Sequence, residues 1–186
     1  MSARDQILQA TLRLIGERGI GAVTNRAVAR AAGVSLGSLT YHFPSQEDLL
    51  REALHTFVED EIARITEYVS ALSESGMSPV EAADEVEKAV AGFARGPEEI
   101  AHLELHLHAA RDPHLRDTSA RSVEAYDRLA AAVLTALGIP DAERHAPAVV
   151  AMLYGLAVRR LATGDTTAAG TADAFRLLLL GALPRP

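Results

Sequence analysis

The sequence predicts an all-α protein of about nine helices: an N-terminal three-helix helix-turn-helix domain followed by a larger helical domain. Three observations carry that expectation. Apolar residues recur at helical spacing, strand-like alternation rich in β-branched residues is absent, and Gly, Pro or Ser/Thr/Asp punctuation falls where each apolar stripe starts or stops. With 48% hydrophobic and 23% charged residues in a chain of 186, disordered, collagenous and fibrous classes are excluded.

The first helix is expected over about Ala3–Arg18, with Ile7, Leu8, Leu12, Leu14 and Ile15 as its apolar stripe and Gly19 as its stop. Thr24 caps a short second helix, and Val23 and Val28 have the spacing of a hydrophobic staple around it. Ala31-Ala32-Gly33-Val34-Ser35 then supplies a helix end, a residue able to take positive φ and a new cap. The third helix, about Leu36–Phe43, puts Leu39 and Phe43 on its inner face. Gly37, Ser38, Thr40, Tyr41 and His42 fall on the outer or flanking faces. Two short helices joined by a glycine turn make a helix-turn-helix, and small or hydrogen-bonding outer residues are what a major-groove helix needs.

Ser45 and Asp48 form a capping-box pattern that opens a fourth helix to about Ser73, roughly 42 Å long at 1.5 Å per residue. Ser78-Pro79-Val80-Glu81 opens a fifth, to about Ala94. Gly96-Pro97 breaks the pattern and a sixth helix follows to about Arg111. Asp112-Pro113 starts the seventh, which Gly138 closes. Pro147 suggests that the eighth begins in earnest there and runs to Thr163, and a ninth covers about Thr171–Leu183. The implied division is 1–46 for the helix-turn-helix domain and 47–186 for the helical body.

The formal charge of -7 is unevenly distributed. Residues 1–46 hold five arginines against two acids, a balance of +3, and the remainder carries -10. A basic head on an acidic body suggests an anionic partner for the head. Without cysteine there is no disulfide framework, thiolate metal site or cysteine nucleophile. No apolar h-region opens the chain, and continuous apolar runs such as Leu177–Leu180 are far short of the ~18 residues a spanning segment needs, so a cytoplasmic protein with no membrane partner is expected.

The run Gly19 to Thr24, followed by Val28-Ala29-Arg30-Ala31-Ala32-Gly33-Val34-Ser35-Leu36-Gly37-Ser38-Leu39-Thr40-Tyr41-His42-Phe43-Pro44-Ser45-Gln46-Glu47-Asp48-Leu49, resembles the signature of the TetR family of bacterial transcriptional repressors. The resemblance covers about the first 55 residues. It implies that the first three helices bind DNA and that the rest binds a small effector and forms a homodimer. Matched by position, Thr24, Tyr41 and His42 fall where the family contacts phosphates, and Gly37, Ser38 and Thr40 where it approaches base edges. Ser35 caps the recognition helix, and Arg26 offers further positive charge, as does Arg30. Two departures stand out: Thr40 replaces a frequent aromatic, and Gln46 replaces a frequent lysine at the start of the fourth helix.

The ninth helix is apolar all round through Phe175, Leu177, Leu178, Leu179, Leu180, Ala182 and Leu183. Such a helix is buried on more than one side, by the chain's own helices or, most simply, by a partner subunit, and the resemblance implies a dimer bundle in which it joins the eighth helix with Val149, Val150, Leu153, Leu156 and Ala157. The resemblance implies an effector pocket between the fourth and eighth helices, which Phe57, Tyr68, Phe93 and Tyr126 are candidates to line, an ordinary core role being the alternative for each. Glu99, His102 and His106 share a helical face at i, i+3 and i+7, beside an apolar stripe of Ile100, Leu103 and Leu107 taken as the core side. His102 and His106 thus read as a polar pocket wall, as plain surface, or with Glu99 as metal ligands in an all-helical metalloprotein. Gly19-Ile20-Gly21 lacks the strand and third glycine of a dinucleotide fingerprint, and no G-x-S-x-G, P-loop or H-E-x-x-H occurs, so neither an enzyme nor a cofactor is expected.

The function expected is therefore a DNA-binding regulator: a repressor released from a palindromic operator by an unidentified small molecule. An activator, or a regulator controlled by a partner protein, uses the same motif.

Overall fold

The computed structural model describes residues 1–73, 81, 84–85, 87–88, 96–165 and 170–182. Among these all regular structure is helical: α1 (Ala3–Arg18), a 3-10 turn (Ile20–Ala22), α2 (Asn25–Ala32), α3 (Leu36–His42), α4 (Gln46–Ser73), α5 (Pro97–Ala109), α6 (Pro113–Ala136), α7 (Ala142–Thr163) and α8 (Thr171–Ala182). That makes eight α-helices among the described residues. The further helix expected over 78–94 lies outside them, except that Glu81, Asp84, Glu85, Glu87 and Lys88 are helical.

The chain packs as two units, Met1–Glu61 with Gly96–Ser122, and Ile62–Arg95 with Val123–Pro186. In the first, α1 is the central element. Ser2 and Asp5 close a capping box at its start, and Ile7, Leu8, Leu12 and Ile15 are buried along one face. Thr11 belongs to that buried face because its hydroxyl donates to the Ile7 carbonyl at 2.8 Å, which satisfies it without water. The staple residues Val23 and Val28 are both buried, and Thr24 Oγ1 accepts the Ala27 amide at 3.2 Å. Gly33 takes φ 69°, ψ 26°, a left-handed conformation that ends α2 and lets the Val34 amide reach the Ala29 carbonyl at 3.0 Å.

The third helix ends at His42, and Phe43 lies just past it in extended backbone, buried at the C-cap. Arg4 ties these pieces together. Its guanidinium lies 5.8 Å from the Phe43 ring centroid and pairs with Glu52 of α4.

The body contributes α5 to this unit. The face of α5 turned inward is Ala101, His102, Leu105 and Ala109, all buried, while Ile100 and Leu107 are 39% and 69% exposed. This reverses the expectation that Ile100, Leu103 and Leu107 form the core side. Two apolar stripes lie on this helix, and the buried one places Ala101 in the turn after Pro97, where α1 comes close, with Leu105 and His102 packed beyond it. At the closest point Gly16 lies against Pro97: a Cβ on Gly16 would sit 1.8 Å from the Pro97 carbonyl oxygen.

The second unit is built on Leu134, Ile139, Ala142, Ala146, Val149, Ala172, Phe175 and Leu179. Its α7 begins at Ala142, five residues before the start suggested by Pro147, so the proline stands inside the helix. Asp141, in left-handed backbone at φ 51°, offers its carbonyl to the Arg144 and His145 amides, and Ala142 and Ala146 are drawn into the core. That burial offsets the one ladder hydrogen bond a proline removes. The first turn of α8 is held by Glu87, whose carboxylate accepts the Ala172 amide at 2.8 Å, and by Asp84, which pairs with Arg176. Leu177, Val158 and Leu161 remain 74%, 54% and 39% exposed. By length and composition α7 is a helix that could cross a bilayer, yet Ala142, Ala146, Val149 and Val150 are packed in the protein core.

Replacing Gly16 by alanine is expected to destabilise the fold by about 1–3 kcal/mol, since the added carbon meets backbone and not a movable side chain. Gly21→Ala, with open space around the new Cβ, is the matched control and should be near neutral. Urea or thermal unfolding of the two variants checks this.

Candidate functional site

The residues expected to meet DNA all lie in the first unit. Thr24, Arg26, Ser35, Gly37, Thr40, Tyr41 and Gln46 are exposed, and Ser38 and His42 are half-buried. Ser35 Oγ accepts the Ser38 amide at 3.0 Å. A capping hydroxyl that accepts from its helix keeps its own proton to donate outward, so Thr24 and Ser35 each present an O–H at a helix start. Only Leu39 of α3 is fully buried, which anchors the helix at one point and leaves the opposite side open.

Chemistry on that side is varied. Thr40 donates its hydroxyl to the Leu36 and Gly37 carbonyls, each at 3.2 Å, so outward it offers acceptor lone pairs and a methyl group. Tyr41 is 83% exposed and its ring stands edge-on to His42 at 5.2 Å. Arg26 and Arg30 are exposed and make no ion pair among the described residues, which leaves two guanidinium groups available to phosphate.

Gln46 plays a different part. Its side-chain amide donates to the Val23 carbonyl at 2.9 Å, bracing the loop before α2 against the first turn of α4. Beside it, Ser45 caps α4 by accepting the Asp48 amide at 3.0 Å and donates to the Asp48 carboxylate at 2.9 Å. Hydrogen bonding from Ser45, and then from Arg51, holds the Asp48 carboxyl below its ordinary pKa.

Of the residues expected to bind an effector, the structure brings Phe57, His102 and His106 together in the first unit. The Phe57 and His102 rings lie 4.8 Å apart and those of His102 and His106 4.5 Å. The two imidazoles meet through their Nε2 atoms at 2.8 Å, and His106 Nδ1 lies 2.6 Å from Ser119 Oγ. Because an imidazole Nε2 can either donate or accept, this chain requires one ring to donate and the other to accept, which neutral rings satisfy. Burial, aided by the neighbouring His106, pushes the His102 pKa down to about 3, and burial pushes that of His106 down to about 4. No group of three His, Cys, Asp or Glu residues placed to hold a metal ion occurs among the described residues, so the Glu99, His102 and His106 arrangement does not form a three-ligand site there. Tyr126 falls in the second unit, its ring edge-to-face with Tyr154 at 6.2 Å. The side chain of Tyr68 and all of Phe93 lie outside the described residues.

Three further residues carry no signal in the sequence. Ser119 completes the histidine chain, Tyr154 partners Tyr126, and Glu104 accepts the Ile20 amide at 2.8 Å. That last bond fixes the 3-10 turn between α1 and α2 from the helix that carries the histidines. No local pattern announces it, since the partners are 84 positions apart.

Comparison with known proteins matches two family models to the chain: bacterial regulatory proteins of the tetR family over residues 7–53, and a tetracyclin repressor-like C-terminal domain over residues 77–185. The transcriptional repressor KstR2 of Mycolicibacterium smegmatis is 40% identical over 58 residues, which are 31% of this chain and 28% of that protein. The chain spans 28% to 34% of the length of the KstR2 relatives it matches. The regulator BetI of Rhizobium meliloti is 30% identical over 171 residues, covering 84% of this chain and 77% of that one. Among solved structures, the multidrug binding protein EbrR complexed with imidazole matches with a TM-score of 0.72 and 31% identity, covering 100% of this chain and 97% of that one.

The buried histidines set the acid limit of the fold. Both fold with pKa values depressed below the ordinary 6.5, so the unfolded chain binds more protons than the native one between about pH 6.5 and 4. Stability from keeping them neutral is fully present above 6.5 and is lost as pH falls through that window. Urea midpoints are expected to drop between pH 7 and pH 5, His106 alone accounting for on the order of 2 kcal/mol. The dependence should flatten in a His102→Gln, His106→Gln double variant.

Proposed function

The chain belongs to the TetR family of bacterial regulators, and from that premise we propose that it is a homodimeric transcriptional repressor released from a palindromic operator by a small-molecule effector. The observation that carries the DNA-binding part is α3: a helix held by one buried leucine, with Gly37, Ser38, Thr40 and Tyr41 facing out and capping hydroxyls at the starts of α2 and α3. Its small and polar outer residues suit base edges, while Thr24, Tyr41, His42, Arg26 and Arg30 suit phosphates. We divide the work functionally at residue 46, with DNA binding before it and effector binding and dimerisation after.

Effector control is supported by similarity to EbrR, whose solved complexes hold ethidium, proflavin and malachite green at 29% to 31% identity to this chain. In our reading Phe57, His102 and His106, which the first unit brings together, take part in effector binding, as do Tyr68, Phe93 and Tyr126. Dimerisation uses α7 and α8, where Val158, Leu161 and Leu177 are exposed in the single chain. A two-fold dimer presents two recognition helices to successive major grooves. An effector that binds better to a body conformation in which α4 is displaced spoils that spacing, and by linkage DNA and effector weaken each other by the same factor. The protein acts by binding, not catalysis, in the cytoplasm.

Selection of bound fragments from genomic DNA tests this reading: enrichment of a palindrome supports it, and failure to enrich any two-fold site would overturn it. Tyr41→Ala should weaken operator binding by about tenfold or more, the scale of a charge-assisted hydrogen bond, and leave the dimer mass unchanged by sedimentation. Gln46→Lys should place one more cation against phosphate in each subunit and steepen the log–log salt dependence of binding by about 0.9 for each phosphate it neutralises.

A further inference from the structure

Asp127 on α6 carries a defect that DNA binding does not explain. Its Oδ1 is buried and has no hydrogen-bond partner. Burying a polar atom without a partner costs free energy comparable to a lost hydrogen bond, and more for a charged group, so such an atom calls for a cause. A carboxylate is an acceptor only. What would satisfy it is a donor, and best a positively charged one.

The neighbourhood fits such a donor. Tyr126 precedes Asp127 on α6, and its ring meets that of Tyr154 on α7 edge-to-face, at 6.2 Å and 90°. Along α6 from Asp127, Ala130 and Ala131 pack against the core and Leu134 is 1% exposed. Spacings of three, four and seven put Asp127 on the core-facing side of the helix, with alanines one turn on that add little bulk. Tyrosine ring faces attract cations, and the acidic body favours them at longer range.

We propose that Asp127, Tyr126 and Tyr154 form the anchoring point for an organic cation, a protonated amine or amidine on a flat unsaturated frame. An N–H of the cation donates to Oδ1, and its positive charge lies against the tyrosines. This assignment rests on the small-molecule control proposed above and specifies the chemical class of the effector.

The test titrates the full-length protein with proflavin, a planar cation bearing amino donors, and with acridine, the same ring frame uncharged at pH 8. Proflavin should bind the parent with quenched fluorescence and raise its Tm. Asp127→Asn should weaken proflavin by about tenfold or more, the scale of a charged hydrogen bond, and change acridine less than about twofold. Tyr154→Leu should weaken both dyes. Without ligand, Asp127→Asn should unfold at or above the parent's Tm, because Oδ1 has no hydrogen bond in the protein to lose; a clearly lower Tm would mean a structural role and overturn the assignment. So would equal proflavin affinity in parent and Asp127→Asn, which is the result if water satisfies Oδ1. If neutral compounds release operator DNA but proflavin does not bind, only the Asp127 assignment falls. If neither dye nor a panel of neutral and anionic compounds shifts the Tm or releases DNA, small-molecule control itself falls, and this assignment with it.

Discussion

The close approach of α1 to α5 is the constraint on which the first unit depends. Gly16 and Pro97 touch backbone to backbone, and nothing larger than hydrogen fits on the α1 side. From that contact the rest follows. The inward face of α5 is small at Ala101, near the contact, and buries His102, Leu105 and Ala109 beyond it, leaving Ile100 and Leu107 outside. With its register set, Glu104 reaches the Ile20 amide and His102 is carried into the interior beside Phe57. A helix from the second half of the chain therefore helps shape the turn that leads into α2. Any ligand that shifts α5 acts on the head through a carboxylate–amide bond and a backbone contact, both short and both stiff.

Polar groups in this interior are few, and most are paired. Thr11 and Ser122 return their hydroxyls to their own helices, and His102, His106 and Ser119 form a chain that closes without a net charge. Such a chain is stable only while its rings stay neutral, and burial ensures that at pH 7. Asp127 of the second unit differs, since its Oδ1 is buried without a partner.

The head was legible residue by residue because its structure is written in local chemistry. Thr24 and Ser35 cap the helices they precede, Gly33 takes the left-handed turn, and Val23 and Val28 bury together, each decided within five residues of sequence. The body was legible as helices but not as faces. On α5 periodicity offered two apolar stripes, and only the approach of Gly16, a residue 81 positions before Pro97, chose between them. Pro147 misled for a related reason: a proline weakens a helix locally, while the core burial of Ala142 and Ala146 that outweighs it is a long-range matter. Gln46 opens α4 as expected, but its bond to the Val23 carbonyl and the bond of Glu104 to Ile20 depend on folded geometry that no spacing rule encodes.

The single buried leucine of α3 has a consequence for the history of such a protein. Because Leu39 and the adjoining Phe43 secure the helix, the outward residues Gly37, Ser38, Thr40 and Tyr41 contribute almost nothing to the core. If α3 reads DNA as proposed, mutations there alter what it reads while scarcely touching what keeps it folded. Descendants of one gene could then drift from operator to operator without passing through an unstable intermediate. Such a fold separates heritable change in specificity from heritable risk to stability, and it does so with two buried side chains.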